Sequence, residues 1–470
     1  MSAFPPPHLA RYRSLLQDYD DFVEALARPL PQTIAVNHLR LDAASLREAL
    51  QDRVSLTPID WFPGAFRLHE DDRPGRDWTF PAGLYTVQEE ASLMPVRMLA
   101  VEPGHRVLDL CAAPGNKTVQ LALALGNRGT LIANDLKVAR LTALHDVCRR
   151  LGVLNVSTTG HDGAVYPVDD AQFDRILVDA PCTAEGKARR GYLRDSSPTF
   201  RRWINGQQRA LLLRAAALCR PGGRLVYATC TFAPEENEAV VSDVLEALDG
   251  RLRAVPVAFE VPGASPGLSH FGDRRFHEDL RHARRLWPHR ADTGGFFAVA
   301  LERIDDGPTR APRTASLPPA VGRAVVDRYL ERFALPASAL DALHFFEGPK
   351  HLRAVCADHE LPAGIAFENH GLDVARRRSA LPKLTTAAAM AIGSGAGRNC
   401  IDLDSDEFAR WRAREDLALP AARLGILDRG YLLVRHGGLV QGTGFLRLDE
   451  AENGLLESQF PKAWMRTART

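Results

Sequence analysis

The chain has 470 residues, 45% hydrophobic and 25% charged, with Lys plus Arg at 59, Asp plus Glu at 58 and a formal net charge of +1. That length suits two or three domains with cores that need no staples, and the charge balance does not by itself announce a nucleic-acid binder. No apolar run approaches membrane-spanning length, the opening MSAFPPPHLARYR lacks the apolar stretch of a secretory signal, and the seven cysteines contain no CxxC pair and no Cys/His cluster at metal-ligand spacing. A cytoplasmic address, no metal and no disulfide framework are the expectations.

Residues 1–100 read as a small α+β module, expected to bind RNA: Thr33–Asn37 is strand-like, Ser45–Leu50 helical, and 59–78 is punctuated by Pro, Gly and Trp. Residues 101–303 alternate strand and helix periods. The strands are RVLDL (106–110), TLIAND (130–135), NVSTT (155–159), DRILVDA (174–180), RLVYATC (224–230) and FFAVALER (296–303). Helices start at Lys117, run Lys137–Leu151 and Gln207–Cys219, and start again at Glu235. Alternation over this length predicts an α/β fold, a doubly wound, mostly parallel sheet covered on both faces. Residues 304–321, rich in Pro, read as a linker, and 322–470 as a further domain ending in a small β unit around 430–448.

The first strand runs into Asp109-Leu110-Cys111-Ala112-Ala113-Pro114-Gly115-Asn116-Lys117-Thr118 and then a helix. Doubly wound folds bind cofactors at this position. The loop is neither GxGxxG nor a phosphate-binding P-loop, but its small residues let backbone approach a ligand. Asp135 ends the second strand, where a carboxylate accepts from ribose hydroxyls. Asp162, after the third, is placed to accept from an adenine amino group. A lone strand-end Asp is often just a helix cap. Three such sites in order fit an adenosine-bearing cofactor without a bound pyrophosphate, and S-adenosylmethionine is the obvious one.

Cys182 follows the fourth strand in Asp179-Ala180-Pro181-Cys182-Thr183, and Cys230 ends the next in Ala228-Thr229-Cys230-Thr231. Neighbouring parallel strands end side by side, which brings two thiols to one pocket. An aminomethyltransferase would carry an aromatic after the Pro. A thiol instead suits methylation of a carbon that must first be activated, such as pyrimidine carbon 5, by thiolate attack at carbon 6. Asp179 supplies an acidic group near the ring, and a cation such as Lys117 would favour the thiolate. Cys148, Cys219, Cys356 and Cys400 read as small core residues.

LDLCAAPGNKT, ILVDAPCTAEG, LCRPGGRLVYATCTFAPEENEAVV and the upstream Tyr85–Ser92 run together resemble the Sun-type RNA cytosine-5 methyltransferases, in the family order and over about residues 30–303. Arg285-Leu286-Trp287-Pro288-His289, followed by Gly294-Gly295-Phe296-Phe297, is similar to that family's last core motif. The resemblance implies a class I methyltransferase (Rossmann-like) core using S-adenosylmethionine. It implies that Cys230 attacks and Cys182 assists release, that Asp179 is the acid near the base N3, that Lys117 is the family lysine, and that Asp135 and Asp162 are the cofactor acids. The Pro-Cys cysteine attacks in the DNA cytosine-5 enzymes, so residue type alone leaves the choice open. The expected cofactor set is Cys111, Ala112, Ala113, Pro114, Gly115, Lys117, Asp135, Arg140, Asp162 and Asp179. Asn116 stands where the family commonly has Gly, and Thr183-Ala184 where Ser-Gly is usual.

The tail, from Gly430-Tyr431 through Gly442-Thr443-Gly444 to Phe460-Pro461-Lys462, resembles the small β RNA-binding (PUA-like) domain of the bacterial small-subunit ribosomal members. It implies small-subunit ribosomal RNA, or the assembling subunit, as partner. A tRNA methyltransferase and a non-catalytic RNA-binding assembly factor are the alternatives, and nothing demands more than a monomer. Lys187–Trp203 carries Lys187, Arg189, Arg190, Arg194, Arg201 and Arg202 with Tyr192, Phe200 and Trp203 interleaved, read as a loop for RNA phosphates and bases. Arg274–Arg290 reads as a basic helical face.

Overall fold

The computed structural model describes residues 7–192, 195–304, 311–377, 379–425, 427–449 and 453–465. Helix α1 (Tyr19–Ala27), strand β1 (Thr33–Val36), α2 (Ala43–Leu50), β2 (Leu56–Pro58), β3 (Ala65–Leu68) and β4 (Tyr85–Gln88) form the N-terminal part, with an antiparallel sheet in the order β2-β3-β1-β4. α3 (Met94–Leu99) leads into the alternating segment: β5 (Arg106–Asp109), α4 (Asn116–Ala124), β6 (Thr130–Asn134), α5 (Val138–Leu151), β7 (Val156–Thr159), β8 (Phe173–Asp179), α6 (Pro198–Leu218), β9 (Cys219–Thr229) and α7 (Glu238–Leu248). Then come β10 (Leu252–Ala254), β11 (Ala264–Pro266), β12 (His270–Phe271), β13 (Arg274–Arg275), β14 (Arg284–Leu286), α8 (Pro288–Ala291) and β15 (Phe296–Arg303).

The sheet runs β11-β14-β15-β9-β8-β5-β6-β7. β5 to β9 are mutually parallel, and β15 enters antiparallel beside β9. The doubly wound prediction is correct. Period-2 alternation decides which layer each residue joins. Val107, Leu131, Leu177 and Val226 pack into one core layer, and their neighbours Leu108, Ile132, Ile176 and Leu225 into the other. β6 and β7 lie on one side of β5, β8 and β9 on the other. Strand order therefore reverses between β5 and β8, where open α/β sheets bind ligands.

Three local expectations are corrected. Helix α6 starts at Pro198, not near Gln207, because Ser197 Oγ accepts from Phe200 N at 3.2 Å and Pro198 opens the first turn. Phe200 to Trp203 are thus helical rather than looped. Arg274–Arg290 is not a helical face. It comprises β13, a 3-10 turn over Glu278–His282, β14 and the single turn α8, and Arg285 lies buried in an ion pair with Glu238. Inside 304–321, residues Thr314–Ala315 form strand β16, so that part of the stretch is built into the fold.

The C-terminal part contains α9 (Arg323–Phe333), α10 (Ala337–Asp341), β17 (Leu343–Glu347), β18 (His351–Cys356), β19 (Leu361–Pro362), β20 (Asn369–His370), β21 (Leu372–Arg376), α11 (Thr386–Ile392), β22 (Cys400–Asp402), α12 (Ser405–Arg412), β23 (Leu417–Leu419), β24 (Gly430–His436), β25 (Leu439–Leu448), β26 (Gly454–Ser458) and α13 (Lys462–Met465). Its sheets run β17-β18-β21 and β22-β24-β25-β26-β23, and β16 pairs β19. β20 joins the central sheet, antiparallel to β7, with His370 opposite Ser157. An edge strand is thereby covered by backbone pairing from the C-terminal part.

The N-terminal segment is also fastened to the central unit. Phe232 and Trp287 stack with centroids 5.3 Å apart, and Tyr12 and Phe22 meet Phe232 edge-on.

At the β7–β20 seam, Ser157 Oγ lies 2.7 Å from His359 Nε2 and 3.0 Å from His370 Nδ1. Burial pushes both imidazoles down to about 4. The unfolded rings titrate near 6.5, so as pH falls from there toward about 4 the unfolded chain gains protons that the folded seam refuses. Stability present above pH 6.5 is lost over that window. We expect the thermal midpoint of unfolding to fall between pH 7 and pH 5, and to fall less in a His359→Gln/His370→Gln variant; equal falls in both would remove the seam as the cause.

Candidate active site

The β5–α4 loop turns at Gly115, whose φ of +111° is left-handed and where an added Cβ would stand 3.0 Å from Leu144. Glycine is required there for the loop to lie against α5. At the end of β5, Thr118 Oγ1 donates to Asp109 Oδ2 at 2.7 Å, while the other buried oxygen of Asp109 has no partner. Burial raises the Asp109 pKa to about 7. Asp135, just past β6, accepts from Lys137 N at 2.9 Å and Ala113 N at 3.2 Å, and Arg140 bridges its carboxylate (3.0 Å) to Ala113 O (2.5 Å). Arg140 thereby ties the β6 end to the loop. Asp162 is exposed and caps a short turn, with Oδ1 accepting from Ala164 N at 2.9 Å.

Two apolar residues that sequence reasoning missed stand exposed on the same segments, Leu136 at 64% directly after Asp135 and Val165 at 71% within the turn that Asp162 caps. Their order after strand-end acids was the available signal. These residues suit an adenosyl cofactor. A glycine-cradled loop, a strand-end carboxylate, exposed apolar side chains and an unpartnered carboxylate oxygen match ribose hydroxyls, a purine face and a cationic amino group.

On the other side of the switch, β8 and β9 pair in parallel with Asp179 opposite Ala228. That register sets the following loops together, and Cys182 Sγ lies 3.3 Å from Cys230 Sγ. Donation from the Cys182 thiol lowers the Cys230 pKa against the opposing effect of burial, helped by the Lys187 and Lys117 ammonium groups. Cys182 moves the opposite way, raised by the same hydrogen bond and by burial. The two thiols are thus shifted in opposite directions, Cys230 toward the thiolate and Cys182 toward the thiol. Burial works against the Lys117 cation, but Asp179 more than offsets it and its pKa is raised; Lys117 Nζ donates to Asp179 Oδ2 at 2.7 Å. Sequence reasoning named Lys117 as one such cation and read Lys187 as an RNA contact; Lys187 acts on Cys230 more strongly than Lys117.

The thiol loops are cross-tied by the residue after each cysteine. Thr183 Oγ1 and Thr231 Oγ1 are 2.8 Å apart. Glu236 accepts from Thr183 Oγ1 (2.5 Å), Thr183 N (3.0 Å) and Gln208 Nε2 (2.9 Å). Thr231 Oγ1 donates to Glu185 Oε2 at 3.2 Å, and Tyr12 OH donates to the same oxygen. Gly186 N donates to Cys230 O at 3.0 Å, and an added Cβ on Gly186 would stand 2.1 Å from Gly295 O, so the two chains touch through glycine. Ala184 holds φ +59°, a left-handed position usually given to glycine. Glu89 closes one wall: burial raises its pKa, Gly294 N donates to it at 2.8 Å, and Arg190 stands 3.3 Å away.

The Arg-rich segment divides. The Arg189 side chain is 2% exposed and anchors to Asp292 and to carbonyls of Arg28 and Thr293, so it is structural rather than RNA-facing. Arg201 pairs with Asp195 at 2.6 Å. Arg202, Phe200 and Trp203 face solvent, with the two rings 5.6 Å apart. Arg194 lies outside the described residues.

This fold and strand-end constellation define an S-adenosylmethionine-dependent methyltransferase. A model of 16S rRNA methyltransferase RsmB/F matches residues 96–302, and a model of the N-terminal domain of 16S rRNA methyltransferase RsmF matches residues 4–90. Ribosomal RNA small subunit methyltransferase F of Salmonella paratyphi C is 30% identical over 433 residues, covering 88% of each chain. The protein of that name from Erwinia tasmaniensis is 31% identical over 456 residues, covering 90% of this chain and 91% of its own. The chain belongs to the RsmB/F family of 16S rRNA methyltransferases. Among solved structures, a methyltransferase homolog protein from Pyrococcus horikoshii matches with TM-score 0.55 and 29% identity over 63% of this chain and 99% of its own. NSun6 from Pyrococcus horikoshii, solved with SFG, shares the fold with TM-score 0.55 at 22% identity over 65% of this chain and 100% of its own.

The thiolate depends on its neighbours, which gives a direct check. Cys230 is expected to react with iodoacetamide before the other cysteines at pH 7, and Lys187→Met to move that reactivity to higher pH. Faster labelling of Cys182, read by peptide mass spectrometry, would reverse the direction of the two shifts.

Proposed function

We propose that the protein methylates carbon 5 of a cytosine in small-subunit ribosomal RNA through a covalent adduct on Cys230. The observation that carries this reading is the 3.3 Å thiol pair at the switch point, whose hydrogen bond lowers the Cys230 pKa and raises that of Cys182. Ribosomal RNA as substrate is supported by the relatives' names.

Carbon 5 of cytosine is a poor nucleophile until carbon 6 is saturated. Attack of the Cys230 thiolate at carbon 6 forms the C6–S bond and pushes the electron pair to carbon 5. Asp179, oriented by Lys117 at 2.7 Å, is the group to carry a proton to N3, the ring's acceptor, and so neutralise the negative charge that develops there on attack. The residues at the ends of β5, β6 and β7 would hold S-adenosylmethionine, whose sulfonium methyl would pass to the carbon 5 electron pair, the S–CH3 bond breaking to leave a neutral thioether. The carbon 5 proton then leaves to a base, the C5–C6 double bond re-forms and the C6–S bond breaks, returning the thiolate. Cys182 touches the sulfur that must depart and assists this elimination. A base stacked in a duplex hides carbon 6, so the target is unstacked or single-stranded. The exposed Phe200 and Trp203 on α6 offer faces for neighbouring bases.

Cys230→Ala is expected to abolish both methyl transfer, by about a thousandfold or more, and the adduct. Cys182→Ala is expected to accumulate a protein–RNA band on denaturing gels. Normal turnover without a band in the second variant would return Cys182 to a packing role.

A further inference from the structure

Glu89 stands at the thiols and takes no part in the steps of the reaction. It directly follows β4 and leads into the turn Glu90–Leu93 without capping it. Its carboxylate is turned instead toward the loop before β15: Gly294 N donates to Oε1 at 2.8 Å, and Arg190 stands 3.3 Å from Oε2. An added Cβ on Gly294 would meet Glu89 and, at 2.9 Å, Gly186 O, while Gly186 N donates to Cys230 O at 3.0 Å. Glu89, Gly294, Gly186 and Cys230 are therefore consecutive in space. Lys117 and Lys187, the cations that act on Cys230, act on Glu89 as well.

The carboxylates around it are engaged elsewhere. Glu90 accepts from Trp61 Nε1 at 3.0 Å and pairs with Arg67, inside the N-terminal part. Glu236 and Glu185 hold the two threonines, and Glu238 holds Arg285. Asp179 is paired with Lys117 and serves N3. Glu89 keeps accepting capacity, because a carboxylate has about four lone-pair sites. Its side chain also keeps 14% exposure, against 8% for Glu90.

An ionised carboxylate only accepts, so the group it selects must carry an N–H or O–H. In cytosine N3 lies across the ring from carbon 6, and the amino group on carbon 4 is beside N3. With carbon 6 at Cys230 and N3 at Asp179, that amino group is the next one along the edge. Lys117, which holds Asp179, also acts on Glu89, so both carboxylates gather about one cation. Proton transfer to N3 spreads positive character onto the amino nitrogen, and a carboxylate there is held more strongly as the thiolate adds. Uracil presents carbonyl lone pairs at this position, which a carboxylate repels.

We propose that Glu89 reads the target base, its carboxylate accepting a hydrogen bond from the cytosine 4-amino group and turning uracil away. The proposal rests on the cytosine chemistry proposed above. It makes Glu89 a specificity-determining residue, and it gives the N-terminal part a direct contact with the base through the end of β4.

The methylated cytosine is first located in small-subunit RNA by bisulfite sequencing with the unaltered protein. Synthetic fragments then carry cytidine or the 2-pyrimidinone ribonucleoside there, the second lacking only the amino group. Single-turnover methyl transfer is measured on each. In Glu89→Gln the Gly294 N–H keeps Oε1, which leaves Nε2, a donor, facing the amino group. The variant should slow the cytidine fragment about tenfold or more beyond its effect on the 2-pyrimidinone fragment, and the intrinsic reactivity of each base cancels in that comparison. An unchanged melting temperature verifies folding. Equal slowing on both fragments overturns the contact and leaves Glu89 as part of the wall. A second measurement needs no variant: N4,N4-dimethylcytidine has no N–H to give and should react about a hundredfold or more slowly with the unaltered protein, and its normal use would overturn the contact. Absence of any methylated cytosine would overturn the proposed reaction and this contact together, whereas a methylated cytosine with equal slowing would overturn the contact alone.

Discussion

The hydroxyl of Thr183 meets the hydroxyl of Thr231 at 2.8 Å, and each of these residues directly follows a cysteine. Glu236 holds Thr183 by backbone and side chain, Glu185 holds Thr231, and Tyr12 holds Glu185. Thr183, Thr231, Glu185 and Glu236 are each no more than 5% exposed. A buried polar group left unpaired costs about 1–3 kcal/mol, so the network resists any motion that would part the two loops. The thiols inherit that rigidity. Setting the two sulfurs 3.3 Å apart shifts their pKa values in opposite directions, Cys230 down and Cys182 up.

The remaining architecture supports the tie. Parallel pairing of β8 and β9 brings the loops level. The buried Arg285–Glu238 pair also donates to Phe232 O, two residues past Cys230, and Phe232 stacks on Trp287. The N-terminal Tyr12 thus contributes to a site whose reacting groups lie more than a hundred residues further along the chain. The cofactor half and the thiol half meet between β5 and β8, where Lys117, from the first helix after β5, reaches Asp179 at the end of β8. A single ion pair therefore joins the two functions.

Local periodicity was enough to read the central sheet. Alternating apolar runs such as RILVD and RLVYA have no other stable use than buried parallel strands. The thiol pair was legible for the same reason, since strand adjacency converts two distant motifs into neighbours. The division of labour between Cys230 and Cys182 was not: it rests on the family resemblance, because the 3.3 Å separation is the same from either sulfur. The start of α6 lies nine residues ahead of the expected Gln207, at Ser197-Pro198, a serine followed by proline being a helix opening. Arg189 and Arg285 were misread because the partner of a basic side chain lies far away in sequence. Asp292 and Glu238 are those partners, and each makes its arginine part of the fold. The β20–β7 pairing was illegible because two residues carry no periodicity.

The central claim is that Cys230, not Cys182, bonds to the substrate. A small-subunit RNA carrying 5-fluorocytidine should trap the adduct, because fluorine at carbon 5 leaves no proton to eliminate. Digestion of the trapped complex and peptide mass spectrometry should find the modified pyrimidine on the peptide containing Cys230, with Cys182 unmodified. A pyrimidine on Cys182 would contradict the account.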